Sequence, residues 1–219
     1  MLYNITNVDS EILRDELIER EKGIDLSNYF FQNNLLSKEQ IDKVIKIAEP
    51  RTHRATTFSG VDESFRKSNI TWINPVEQLN SYGENEGSIE TVDNTWLYKI
   101  VADFAIQANE KIYNFDIYGM FESIQYTVYD GTEQGFYCAH VDHGENFYKR
   151  KLSVVIQLTD PNEYEGGDLL LHTGKSPHVI GRGLGNVVVF PSWMLHEVTP
   201  VTKGTRRSLV CWVSGPPYK

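Results

Sequence analysis

The chain has 219 residues, and 21 basic against 30 acidic side chains leave a formal net charge of −9. That length suits one domain or a small pair, can bury a sizeable core without disulfide or metal staples, and its ordinary apolar content excludes whole-chain disorder. The acidic balance argues against nucleic acid or an anionic membrane as partner, and two cysteines, Cys138 and Cys211, are too few for a disulfide scaffold.

No stretch approaches the roughly 20 apolar residues of a membrane span, and residues 1–15 show no basic-then-apolar leader. A cytoplasmic, thiol-reducing setting is therefore expected. Residues 12–21 read as a short amphipathic helix. Ser37-Lys38-Glu39-Gln40 has capping-box spacing, and Ile41, Val44, Ile45 and Ala48 follow at helical intervals until Pro50. Residues 68–73 look like a short strand, and residues 80–93, rich in Gly, Asn and Glu, like a mobile acidic loop or lid. A longer helix is expected over 93–114, capped by Asp93, with Trp96, Leu97, Ile100, Val101, Phe104, Ala108 and Ile112 as its stripe.

From Met120 onward, short apolar runs alternate with turn signals: 121–129, 136–141, 152–158, 168–172, 186–190 and 208–213. This cadence, without intervening helices, points to a β-sandwich or jelly roll and not to βαβ units. The expected fold is mainly β with flanking helices (α+β). One domain over 1–219 is expected, with a helical support region at 1–115 and a β core at 116–215. The run Lys149, Arg150 and Lys151 reads as a solvated strand end.

Chemistry-bearing residues collect in that second half. His140-Val141-Asp142 closes an apolar run, and on a strand residues i and i+2 project to one face. His196 follows another apolar run and is preceded by Trp193, Met194 and Leu195. Two histidines and one carboxylate are the ligand set of the facial triad of non-haem Fe(II) oxygenases, which leaves coordination positions open. Further on, strand alternation puts Arg206, Ser208, Val210 and Trp212 on one face and Arg207 on the other. A guanidinium inside an apolar barrel needs an anionic partner, and a carboxylate matches its planar fork. A dicarboxylate whose other end chelates iron, 2-oxoglutarate, meets both demands.

Taken in order, these elements resemble the 2-oxoglutarate- and Fe(II)-dependent dioxygenases, specifically the prolyl 4-hydroxylase-like branch, over residues 66–213. The matching pieces are His140-x-Asp142, Tyr164-Glu165-Gly166-Gly167-Asp168-Leu169, Phe190-Pro191-Ser192 through His196-Glu197-Val198-x-Pro200, and Lys203-Gly204-Thr205-Arg206-Arg207-Ser208-Leu209. The resemblance implies a double-stranded β-helix (jelly-roll, cupin-like) core with N-terminal helices on one face. It implies His140, Asp142 and His196 as iron ligands and Arg206 as the cosubstrate anchor. Tyr129 would lie near the cosubstrate, and Gln157 stands where some relatives carry a tyrosine that bonds its carboxylate. Tyr137, Trp193 and Arg66 fall on the substrate side.

The implied activity is hydroxylation of an unactivated C–H, at a prolyl residue of a peptide or protein, with release of succinate and CO2. Fe(II) and 2-oxoglutarate are the implied cofactors, with ascorbate as an optional third. O2 is consumed, and a small metabolite is the alternative substrate. Competing readings are another metal-dependent jelly-roll enzyme, such as a cupin-like isomerase or a zinc hydrolase, and a non-catalytic binding module. His140-Val141-Asp142-His143 resembles the dinuclear zinc hydrolases, but position 138 holds Cys where those carry a further histidine.

Overall fold

The computed structural model describes residues 29–56, 60–80 and 89–218. The helix expected at 12–21 lies outside them. In chain order the elements are β1 (Phe30–Gln32), α1 (Lys38–Ala48), β2 (His53–Arg54), β3 (Arg66–Lys67), β4 (Asn69–Ile73), β5 (Val76–Asn80), β6 (Ile89–Asp93), α2 (Thr95–Ala108) and β7 (Ile124–Asp130). There follow β8 (Phe136–His140), β9 (Arg150–Gln157), β10 (Tyr164–Gly166), β11 (Leu169–Leu171), β12 (His178–Val179), β13 (Val187–Pro191), β14 (His196–Val198) and β15 (Val201–Ser214). The large sheet runs β1-β13-β9-β15-β7-β4-β2, with β10 attached to β15, and the smaller runs β12-β11-β14-β8-β3. Two antiparallel sheets facing one another across a shared interior make the jelly roll that the strand cadence implied. No helix among the described residues is long and apolar enough to cross a membrane.

Alternation along the central strands explains how one sheet serves two purposes. On β9, Leu152, Val154 and Ile156 enter a core shared with the helices, while Val155 enters a second core between the sheets. On β15, Leu209, Cys211 and Val213 belong to the helix side. The helices supply Ile41, Val44 and Ala48 from α1 and Leu97, Val101, Phe104, Ala105 and Ala108 from α2. Helices thus cover one face of the large sheet, and the other face is left to line the interior.

The capping box forms as its spacing predicts: the Gln40 amide donates to Ser37 Oγ (3.2 Å) and the Ser37 amide to Gln40 Oε1 (2.8 Å). Elsewhere the structure differs. The second helix starts at Thr95, because Asp93 closes β6 and spends its carboxylate on the Thr95 amide and hydroxyl (2.8 and 2.6 Å). Its last turn is a π turn over Asn109–Tyr113, stopped by Asn114 in the left-handed region (φ 48°). The ends of the expected acidic loop pair as a hairpin, with Val76 opposite Asp93 and Asn80 opposite Ile89. Residues 81–88 lie outside the described residues. The strand expected at 68–73 forms as β4, and the first half also contributes β1 and β2 to the large sheet, strands too short to show a readable period.

The outward-facing partner of the site strand fastens a helix to the sheet. Arg207 donates from Nε and Nη2 to Glu49 (2.8 Å each), just past α1, and the Tyr126 hydroxyl donates to the same carboxylate. Burial pushes the Glu49 carboxyl up, but the bonds from Arg207 and Tyr126 more than offset it and hold it below its ordinary value of 4.5. A depressed folded-state value contributes stability above pH 4.5 that is lost as pH falls through the lower, folded value. Glu49→Gln is therefore expected to cost about 1–2 kcal/mol at pH 7, the partly exposed bonds being screened. Urea unfolding of both proteins should show that gap closing in acid; a gap that stays constant would assign the effect to packing.

Candidate active site

The interior cavity, of about 300 Å³, is built where the two sheets meet. His140 ends β8 and His196 starts β14, and the two are register partners. Asp142 lies just past β8. The amides of Asp142 and His143 both donate to the Ser192 carbonyl (2.9 Å each), which turns the chain there. The potential ligand atoms of His140, Asp142 and His196 lie within 4.8 Å of one another. Asp142 Oδ1 is 3.7 Å from His140 Nε2, and Oδ2 is 3.5 Å from His196 Nε2.

Each side chain is held by a neighbour outside the cluster. His140 Nδ1 donates to the Cys138 carbonyl (2.8 Å) and His196 Nδ1 to the Met194 carbonyl (2.9 Å). A carbonyl can only accept, so both Nδ1 atoms carry a proton and both Nε2 atoms face Asp142. Ser153 Oγ donates to Asp142 Oδ2 (2.7 Å) and lies 3.1 Å from Ser192 Oγ. The Tyr137 ring stacks on His140 (centroids 3.6 Å apart, 20°), and Phe190 meets His196 edge-on at 4.8 Å.

Burial, reinforced by His196, pulls the His140 imidazole down to about 4, so it is neutral at neutral pH. Burial also pushes the Asp142 carboxyl up, but His196, His140 and the Ser153 hydroxyl outweigh it and keep the group ionised below its ordinary value. Two imidazoles and one carboxylate, fixed in place, form a donor set suited to a divalent first-row cation.

Arg206 lies deeper in the same cavity, 1% exposed. Its Nη1 has one long bond, to Ser208 Oγ (3.4 Å), while Nε and Nη2 have no partner. Its guanidinium sits 5.3 Å above the Tyr129 ring, and Tyr129 is its register partner on β7. No carboxylate among the described residues pairs with it. Gly167, in the left-handed region (φ +65°), makes room, since a Cβ there would lie 2.9 Å from Arg206 Cδ.

Of the residues expected at the site, His140, Asp142, His196, Arg206, Tyr129, Tyr137 and Arg66 all line this cavity. Gln157 does not line it. It is buried at the end of β9 opposite Ser208, with Oε1 unpartnered. Trp193 is a correction: its ring packs on Phe115 and Tyr218 (5.3 and 5.2 Å), away from the cavity wall. The basic run is another. Arg150 is 7% exposed and lies between Phe147 and Trp212 (3.9 and 3.7 Å), bonded to Glu122; Lys151 is buried with its ammonium over Tyr218. Ser153, Gln125 and Trp72 were not foreseen. The signal for Ser153 is a single hydroxyl on the inward face of an apolar strand.

The jelly roll thus gathers in one cavity a His/Asp/His cluster able to hold a divalent cation and a buried arginine without a carboxylate partner. Comparison with known proteins makes the class particular. Residues 124–214 match the family model of the 2OG-Fe(II) oxygenase superfamily. That stretch runs from β7 to the end of β15, and the family it matches is one that uses Fe(II) and 2-oxoglutarate. A PKHD-type hydroxylase from Gloeothece citriformis is 41% identical over 80 residues (35% of this chain, 36% of that protein). Another from Nitrosomonas europaea is 35% identical over 88 residues (37% and 38%). The match thus spans little more than a third of these relatives' length. In fold, the chain is similar to a Pseudomonas putida prolyl-4-hydroxylase (TM-score 0.64, 19% identity, covering 86% of this chain and 92% of that one). It is also similar to a Trichoplax adhaerens prolyl hydroxylase in complex with a hypoxia inducible factor peptide fragment (TM-score 0.65, 17% identity, 96% and 94%).

An unpaired guanidinium in an apolar interior costs stability. Arg206→Met is therefore expected to stabilise the ligand-free protein by about 1–4 kcal/mol. Denaturant unfolding checks it, and a loss of stability would mean that Arg206 has a partner in the free protein.

Proposed function

We propose that the protein is a 2-oxoglutarate- and Fe(II)-dependent dioxygenase that hydroxylates an unactivated C–H bond, at a prolyl residue of a peptide or protein. The observation that carries this reading is Arg206, buried without a carboxylate partner in the cavity that holds the His140, Asp142 and His196 cluster. The named hydroxylase relatives and the prolyl hydroxylase fold support the prolyl assignment.

His140, Asp142 and His196 would hold the iron, and the donor set fits it: two neutral nitrogens, one anionic oxygen and no thiolate. When bound, iron and 2-oxoglutarate supply the oxidising chemistry, in which one atom of O2 enters the substrate C–H and the other leaves in succinate, with CO2 lost from the cosubstrate. This chain's own residues bind, orient and keep dry. Arg206, whose Nε and Nη2 have no partner, would take the distal carboxylate, with Tyr129 packed behind it. Val155, Leu169, Val198 and Val210 give that end an apolar wall. The Cys138 and Met194 carbonyls hold both imidazoles in one tautomer, and Ser153 fixes the carboxylate. A reducing, cytoplasmic setting belongs to the same reading, supported by two free thiols at Cys138 and Cys211.

Succinate release with Fe(II), O2 and 2-oxoglutarate tests the activity. His140→Ala, Asp142→Ala and His196→Ala should each abolish it in a folded protein, and normal turnover by any two would sink the ligand assignment. Ser153→Ala should weaken divalent-metal binding about 10- to 100-fold, read by metal titration.

Arg206→Ala should raise the 2-oxoglutarate requirement roughly 30- to several-thousand-fold, the equivalent of about 2–5 kcal/mol. Arg206→Lys should recover only part of this, because a point charge cannot reproduce the fork. Arg207→Ala should leave the requirement unchanged while lowering stability, since Arg207 faces Glu49. The reverse pattern in the two arginines would defeat the anchor.

A further inference from the structure

We propose that Arg66 selects the substrate and that the substrate presents it with a carboxylate; this rests on the oxygenase reading above. Three guanidinium groups line the cavity. That of Arg150 is neutralised by Glu122, bonded at Nε (2.7 Å) and at Nη2. That of Arg206 is committed to the cosubstrate. The third, Arg66, is 7% exposed and makes only neutral contacts. Its Nε donates to Ser68 Oγ and its Nη2 to Gln125 Oε1 (2.9 Å each), and the group lies 4.5 Å over the Tyr137 ring. None of the ion pairs among the described residues involves it. Neutral hydrogen bonds orient a buried charge without cancelling it, so an anion is the missing partner.

That anion is not the cosubstrate. In the proposed function one end of 2-oxoglutarate would be held by Arg206 and the other would be taken at the His140, Asp142 and His196 cluster. Arg66 also lies elsewhere in the cavity. Gln125, its partner, is four residues along β7 from Tyr129, the register partner of Arg206, a separation of about 13 Å. Gln125 is also the register partner of Trp72, which lines the cavity and is 36% exposed, so this end faces solvent. Arg66 stacks on Tyr137, and Tyr137 stacks on His140. A carboxylate held by Arg66 would place the rest of its molecule beside the cluster, where the C–H must come.

Matched prolyl peptides test this: Pro-Glu against Pro-Gln within a sequence, and a C-terminal prolyl carboxylate against its amide. Binding to metal-free protein is followed by tryptophan fluorescence, since Trp72 and Trp212 line the cavity. Hydroxylation is followed separately by the gain of one oxygen. One carboxylate member should bind about 10- to 100-fold more tightly than its neutral twin and show the same factor in KM with kcat little changed. Which pair discriminates tells a side-chain carboxylate from a terminal one. Arg66→Gln should erase the preference, and Arg66→Lys should keep part of it, which a merely structural arginine would not do. Equal binding of the twins by the unmutated protein, no binding of any peptide, or a preference that survives in Arg66→Gln overturns the proposal. Succinate release by the unmutated protein is scored apart: its absence refutes the oxygenase reading, while the metal-free binding comparison still decides Arg66.

Discussion

The structure turns on a positive charge that the protein does not itself neutralise. Arg206 can point inward only because β15 alternates without interruption between β7 and β9, so that Leu209, Cys211 and Val213 fill the helix-side core while Arg206, Ser208, Val210 and Trp212 face the interior. A slip of one residue would bury Arg207 and expose Arg206 to Glu49. Glu49 guards against that slip, since its carboxylate gives Arg207 a reason to stay outside. Gly167 adds the matching void on the inner side. The unsatisfied guanidinium is thus imposed by the whole sheet, and under the proposed function a ligand carboxylate would relieve it.

The division of labour between the two faces of the large sheet follows from the same alternation. Helix packing on the outer face supplies the apolar burial that stabilises the fold. The inner face can then carry Ser153, Gln125, Arg150 and Arg206 without forfeiting a core, and Arg66 joins them from β3 of the smaller sheet. Rigidity reaches the site through the backbone: the Cys138 carbonyl on β8 holds His140, and the Ser192 and Met194 carbonyls, in the turn between β13 and β14, hold the Asp142 turn and His196.

Much of this was legible in the sequence, for identifiable reasons. Period-two alternation separates Arg206 from Arg207 with no structural input, and the capping box at Ser37 marks α1. The cluster could be read because His140, Asp142 and His196 are residue types with few alternative uses in that order. Where reading failed, the determining contact was long-range. Lys149, Arg150 and Lys151 look like a solvated strand end until Glu122, Phe147, Trp212 and Tyr218 surround two of them. Trp193 sits among site residues in sequence, yet its ring turns to Phe115 and Tyr218. The β5–β6 hairpin hides in a Gly- and Glu-rich stretch, because a two-stranded ribbon off the main sheets needs no apolar period.

Charge in the cavity ties these features together. Asp142 is the sole carboxylate among the described lining residues, and His140 is neutral at neutral pH. Arg150 is cancelled by Glu122, which leaves Arg66 and Arg206 against Asp142. A divalent cation and a dianionic cosubstrate cancel one another, so loading both leaves the site with one positive charge. A buried excess charge of that kind is expensive in a low-dielectric interior, and it attracts an anion from solution more strongly the better water is excluded. With Arg206 given to the cosubstrate in the proposed function, the excess would reside at Arg66, two stacked layers from the cluster. Under the proposed function, the loaded site would be electrostatically incomplete until a substrate bearing a single negative charge entered from the Trp72 end.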